Sequence, residues 1–309
     1  MRKTCLDMVC ELARKDPRVF FIGSDLGEGT LDEFKQEMPD RFLMEGISEA
    51  NVVGLAAGLA LEGRIVYVNT IATFLTRRCF EQIVIDLCLH DVRVRLIGSG
   101  GGLVYGPLGP THEAFEDLAI LRCLPRMTIL TPADAGEMRR LMPSTVDHPG
   151  PIYIRLGRGG DPLVATYDDP FEIGRGYVMR QGAEILIATT GVMLDPALKA
   201  ASNLADHGQQ ATVLHLPSVK PLDRALVLHH ASRARVIVAV EEHSIVGGLG
   251  SAVAEIVAEA GFLEPKQFRR IGLPDAFPDR YGTQSSQLTR YGLTAEGIAS
   301  EIRTLLDRV

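Results

Sequence analysis

The chain has 309 residues, of which 46% are apolar and 23% charged, with 32 basic against 39 acidic side chains and a formal charge of −7. Those proportions belong to a globular protein and exclude disordered or fibrous chains, and the acidic balance offers no bulk attraction to nucleic acid or to an anionic membrane surface. The apolar uncharged stretches Ala50 to Leu61 and Ile65 to Thr76 fall well short of the about 20 apolar residues that a bilayer span requires.

In chain order, Lys3 to Lys15 carries apolar residues at helical spacing, and Arg18 to Ile22 reads as a buried strand ending at Gly23-Ser24-Asp25. Ser48 and Glu49 open a helix of small residues, Ala50 to Leu61, stopped by Gly63. Strands at Ile65 to Val68 and Val92 to Ile97 flank an apolar helix from Phe80 to Leu89. A glycine-rich loop then runs from Gly98 to Gly109-Pro110-Thr111-His112. Helices at Phe115 to Arg122 and Ala133 to Leu141 alternate with strands at Thr128 to Leu130 and Ile152 to Arg155.

The stretch from Gly157 to Pro170 is rich in Gly, Pro and Asp and leads between the two halves of the chain. Beyond it strands (Glu184 to Thr189, Thr212 to Leu216, Arg235 to Val240) alternate with helices (Pro196 to Asp206, Asp223 to Ala231, Ser251 to Ala260), and a last helix runs from Thr294 to Leu306. This rhythm predicts an α/β protein of two doubly wound domains, each a parallel sheet covered on both faces. We place the domains at 1–165 and 181–309, with 166–180 as the linker. Ligands in such sheets sit beyond the carboxyl ends of the strands, which directs attention to Ser24-Asp25, the end of Ile65 to Val68, the Gly98 to His112 loop, and Arg155 to Arg158.

Several motifs lead nowhere. Gly247-Gly248-Leu249-Gly250-Ser251 lacks the spacing of a dinucleotide loop, and neither a phosphate-binding G-x-x-x-x-G-K-[ST] loop nor a G-x-S-x-G elbow occurs. His112 and Glu116 stand at i and i+4 without the third and fourth ligands of a metal site. The five cysteines (Cys5, Cys10, Cys79, Cys88, Cys123) form no C-x-x-C pair. Together with the lack of an apolar signal core, they point to reduced thiols and a cytoplasmic protein.

The segment Phe42-Leu43-Met44-Glu45-Gly46-Ile47-Ser48-Glu49-Ala50-Asn51, with Ala72-Thr73-Phe74-Leu75-Thr76-Arg77-Arg78 and Gly109-Pro110-Thr111-His112, resembles the pyrimidine-binding domain of transketolases and of 1-deoxyxylulose-5-phosphate synthases. Ser218-Val219-Lys220-Pro221-Leu222-Asp223 and Glu241-Glu242-His243-Ser244-Ile245-Val246-Gly247-Gly248-Leu249-Gly250 resemble the C-terminal domain of the same superfamily. By position alone Glu49 is an ordinary first-turn glutamate favoured by the helix dipole. The resemblance implies more: thiamine diphosphate as cofactor, with Glu49 hydrogen-bonding N1′ of its aminopyrimidine and promoting the tautomer that removes the thiazolium C2 proton.

Phe74, Arg77 and Phe80 recur at i, i+3 and i+6, and the resemblance places all three around the aminopyrimidine, although a core-facing role serves Phe80 equally well. His112 aligns with a histidine that contacts the donor substrate's oxygen, a task suited to imidazole near neutral pH. Arg158, and less directly Arg2, align with arginines that hold a substrate phosphate, with Arg155 beside Arg158.

Two positions depart from the family. Leu108 replaces an aspartate that reads a substrate hydroxyl, and Ser99-Gly100-Gly101-Gly102 lacks a phosphate-contacting histidine. Both changes point to an unusual substrate, less hydroxylated or without phosphate. The GDG motif that holds the diphosphate through Mg2+ in these enzymes is also missing; the chain has three asparagines (Asn51, Asn69, Asn203) and none follows such a motif. The resemblance therefore implies the C-terminal subunit of a split transketolase. It would move a two-carbon ketol unit from a ketose or ketose phosphate to an aldehyde, in an α2β2 assembly whose other chain brings the diphosphate and Mg2+. The alternatives are synthase-like or 2-oxoacid dehydrogenase β-like acyl chemistry, and a non-catalytic assembly subunit.

Overall fold

The computed structural model of the chain describes residues 1–24, 29 and 31–307, so Asp25 lies outside the described residues. Among the described residues twelve strands are seen: β1 (Val19–Ser24), β2 (Phe42–Glu45), β3 (Ile65–Ile71), β4 (Val94–Ser99), β5 (Thr128–Leu130), β6 (Ile152–Leu156), β7 (Tyr177–Arg180), β8 (Ile185–Thr189), β9 (Ala211–His215), β10 (Ser218–Lys220), β11 (Val236–Ser244) and β12 (Gln267–Leu273). They form a seven-stranded sheet in the order β10-β5-β6-β4-β3-β1-β2 and a five-stranded sheet in the order β12-β11-β8-β9-β7. Strands β3, β4, β6, β8 and β9 are buried almost residue for residue. Continuous burial of that kind is expected of parallel strands covered by helices on both faces.

The pleat sends successive side chains to opposite faces. Phe21, Tyr67, Ile97 and Ile154 enter one core of the first sheet, while Ile22, Val66, Val68, Leu96 and Tyr153 enter the other. In the second sheet Ile185, Ile187, Val213 and Val238 face one layer, and Leu186, Ala188, Leu214 and Ile237 the opposite one.

The expectation of purely parallel sheets needs correcting at two edges. β7 pairs antiparallel with β9, and β10 pairs antiparallel with β5. β10 also crosses between the halves: it comes from the second half of the sequence and closes the edge of the first sheet. Buried polar contacts tie the halves further. His215 on β9 meets the Glu137 carboxylate at 2.8 Å, with both side chains fully buried. Within the first half, the Asp134 carboxylate accepts from the backbone N–H groups of Val164 and Ala165, each at 2.8 Å, while capping the helix Ala135–Leu141.

Strand order places β2 and β3 on either side of β1, so the crevice beyond the carboxyl ends of β1 and β3 is the switch point where ligands gather in such sheets. The helix Glu49–Leu61 begins shortly after the end of β2, and the helix Ala72–Arg78 begins directly after β3. The Gly98 to His112 loop leaves the end of β4, and Arg158 lies just past the end of β6. Glu49, Phe74, His112 and Arg158 therefore all lie on segments that leave the carboxyl ends of strands of the same sheet.

Candidate active site

Glu49 is the first residue of its helix and only 5% exposed. Both of its carboxylate oxygens face Nη1 of Arg78, at 3.3 Å and 3.2 Å. The Arg78 guanidinium in turn lies 3.8 Å from the centroid of the Phe74 ring. Phe74 meets the His112 imidazole edge to face, with centroids 5.0 Å apart. His112 is partly buried; its Nδ1 shares a 2.8 Å hydrogen bond with the Thr111 hydroxyl. Carboxylate, planar cation, aromatic face and imidazole thus form one continuous arrangement drawn from three segments.

Arg78 is the residue that sequence reasoning missed. Arg77, which the resemblance sets beside the aminopyrimidine, does not contact the Phe74 ring; its guanidinium lies 5.4 Å from the centroid of the Phe115 ring instead. Its Nη2 donates to the Glu116 carboxylate at 2.8 Å and to the Glu113 carbonyl at 3.0 Å, while Nη1 donates to the Pro110 carbonyl at 3.0 Å. Its guanidinium therefore clamps the Gly109-Pro110-Thr111-His112 loop, and Glu116, weighed as a metal ligand with His112, is its ion-pair partner. Residues at i and i+4 also meet on a helix, which is the signal that would have named Arg78.

The expected face continuing to Phe80 is broken as well. The helix Ala72–Arg78 ends at Cys79, a new turn starts at Phe80, and a π-helix follows from Ile83 to Leu89. The Phe80 ring packs against the core cluster containing Ile83 and Leu87. Buried next to this group, the Cys79 thiol is pushed up to about 12 by desolvation, with the Glu49 carboxylate adding to the rise. It is an unreactive packing group.

Arg155 is not free for a ligand. It is 9% exposed, and its Nε pairs with the fully buried Asp117 carboxylate at 2.8 Å. Its Nη2 donates to the carbonyls of Ala114 and Glu242, and Asp117 also accepts from the Tyr153 hydroxyl at 2.7 Å. Arg158 is exposed on the loop after β6. That loop runs beside the chain's first residues, for a Cβ built on Gly159 would stand 3.0 Å from the Met1 nitrogen. Arg2 and Arg158 thus lie on neighbouring segments.

At the two departing positions, Leu108 is half exposed, and the Tyr105 ring lies over Gly100 so closely that any side chain there would collide with it. The Gly247 to Ser251 turn is explained by an internal anion: the Glu241 carboxylate accepts from the N–H groups of Leu249 and Gly250, each at 2.7 Å, at the start of the helix Leu249–Glu259.

Residues 1–160 match the family model "Transketolase, pyrimidine binding domain", and residues 174–298 match "Transketolase, C-terminal domain". The chain belongs to the transketolase family. Among its relatives is the 6-deoxy-6-sulfo-D-fructose transketolase subunit SqwH of Clostridium sp. (strain MSTE9), 35% identical over the whole chain and 95% of the relative. An apulose-4-phosphate transketolase subunit of Phocaeicola vulgatus is 38% identical, covering 96% of this chain and 94% of its own. A 1-deoxy-D-xylulose-5-phosphate synthase of Synechococcus sp. (strain JA-2-3B'a(2-13)) is 40% identical over 96% of the chain, which spans only 46% of that synthase. Among solved structures, a "Split gene transketolase, inactive beta4 tetramer" superposes with a TM-score of 0.90 at 36% identity, covering 99% of this chain and 98% of the other. These matches place both sheets within the transketolase fold. No helix among the described residues is long and apolar enough to cross a membrane.

Proposed function

We propose that this chain is the C-terminal subunit of a thiamine-diphosphate-dependent transketolase-type enzyme, transferring a two-carbon ketol unit from a ketose or ketose phosphate to an aldehyde. The observation that carries the reading is the arrangement Glu49–Arg78–Phe74–His112. A planar, hydrogen-bonding cation already lies between an aromatic face and a buried carboxylate, and an aminopyrimidine asks for the same surroundings. Bound there, the cofactor would supply a carbanion equivalent that stores the two-carbon unit between donor and acceptor.

Glu49 would hold a ring nitrogen by a charge-assisted hydrogen bond, strengthened by its burial. Phe74 would set the plane of the ring. His112 would hold or move a proton at the substrate oxygen, and its hydrogen bond to Thr111 fixes which nitrogen is available for that task. Arg158 and Arg2 would meet an anionic end of the substrate. The diphosphate and Mg2+ would be held by a separate chain bearing a GDG motif, in an α2β2 assembly. Two features support this division: the chain lacks that motif, and it matches two named transketolase subunits nearly end to end.

A synthase-like reaction with a 2-oxoacid donor is the second reading, supported by the 40% identity to the synthase. The test is calorimetry of thiamine diphosphate with Mg2+, on this chain alone and mixed with a GDG-bearing partner. Binding in the mixture alone is expected, and tight binding by the isolated chain would overturn the division of labour. Turnover with a ketose donor and not with a 2-oxoacid then separates the two reactions.

A further inference from the structure

Glu113, directly after His112, is fully buried, and neither of its carboxylate oxygens has a hydrogen-bond partner among the described residues. It sits where the two halves of the chain meet. A Cβ on Gly106 would stand 3.3 Å from Glu113 Oε1 and 3.3 Å from Gln287 Cγ, and the Gly282 N–H donates to the Gly106 carbonyl at 3.2 Å. The charged group facing it across this seam is Glu242 on β11, 2% exposed. Glu242 Oε1 accepts from the Leu103 N–H and from Gln284 Nε2, each at 2.9 Å. Two ionised carboxylates in so dry a place repel each other and lose hydration, so one proton is retained. Donors stabilise the charge on Glu242 and none reaches Glu113, which assigns the proton to Glu113.

We propose that Glu113 is a positioning residue for the His112 loop: as a neutral acid it seats the loop against the C-terminal half of the chain, and loss of its proton unseats it. The surrounding charges agree. Arg77, from the helix Ala72–Arg78, favours the ionised form, but its guanidinium already pairs with Glu116. Tyr291, beyond the helix Gln284–Arg290, is neutral and feels the Glu113 charge. Arg155 and Asp117, which also act on Glu242, pair with each other. Burial first and Glu242 second push the Glu113 carboxyl up to about 7. In the unfolded chain it titrates near the ordinary carboxylate value, so between the two the folded chain binds the extra proton. Its contribution to stability is complete in acid and is lost as pH rises through about 7.

The experiment is thermal unfolding of the full chain from about pH 5 to about pH 8, wild type against Glu113→Gln, which keeps the shape and removes the titration. The two should melt together at the acid end. At the alkaline end the variant should melt about 3–5 °C higher. A difference that stays constant across the range overturns the proposal. If Glu113→Gln does not fold, infrared difference spectra of the wild type across the same range carry the test: loss of a protonated-carboxyl band is expected, and no such band overturns it. Hydrogen exchange adds a local readout. Amides of residues 106–115 should gain exchange with pH beyond the intrinsic rate in the wild type and not in the variant. This inference concerns the seating of the loop and stands whether or not the His112 loop performs ketol transfer. In a working assembly it adds a fall in activity above about pH 7 that Glu113→Gln abolishes.

Discussion

Glu49 and Arg155 show how differently two buried charges behave at one sheet edge. Glu49 faces a guanidinium that is half exposed, an arrangement that suits the cofactor-binding role proposed for it. In the complete assembly Glu49→Gln is expected to lower turnover by about 10²–10⁴-fold, the range for loss of a proton-handling group, while the melting temperature of the isolated chain stays close to wild type. Turnover near wild type would remove Glu49 from the chemistry. Arg155, by contrast, neutralises a fully buried Asp117. Arg155→Ala strands that carboxylate in the interior and should cost about 3–5 kcal/mol in urea unfolding. Glu49 and Phe74 are legible in the sequence because short motifs surround them. The role of Arg78 was not, since i+3 and i+4 both lie on the same helical face, and it is distant partners that separate the two arginines: Glu116, Pro110 and Glu113 for Arg77, Glu49 for Arg78.

Among the elements, most of the long parallel strands and their helices follow from apolar runs and capping residues, with observed bounds within a few residues of the expected ones, but the strand β12 and the helix Gln284–Arg290 were not expected. The short edge strands β7 and β10 escaped notice because three or four residues carry no readable period. The apolar segment after Phe80 was read as one regular helix, but Ile83 to Leu89 form a π-helix packed against the helix Glu49–Leu61. Asp134 illustrates an element end with two duties. It caps the helix Ala135–Leu141 through the Glu137 N–H and also holds the Val164 and Ala165 amides. Loss of the cap alone costs about 1 kcal/mol, and two buried amides left without an acceptor add about 1–3 kcal/mol each. Asp134→Ala should therefore destabilise the chain by well over 2 kcal/mol in denaturant unfolding; a loss near 1 kcal/mol would show that water replaces the side chain at Val164 and Ala165.

On the scale of the molecule, the helix Glu49–Leu61 is apolar beyond Asn51, its residues Leu55 and Leu61 are exposed, and so are Ile85 and Leu89 of the π-helix packed against it. Apolar surface gathered in this way favours association. The full chain should sediment as a dimer or larger species, and Leu61→Glu combined with Leu89→Glu should shift it towards the 33.6 kDa monomer. Monomeric wild type at micromolar concentration would contradict this.

The sequence by itself determined the α/β class, the two-part organisation and the family, and it named the segments where we propose that chemistry belongs, because each is written in local periodicity or in contiguous motifs. Only the tertiary structure decided which arginine meets Glu49, that Arg155 is a buried strut, and that β10 crosses to the first sheet. It also placed Glu113 opposite Glu242. These depend on residues far apart in sequence, whose protonation and partners are set by burial and by neighbouring charge, and no local pattern encodes either.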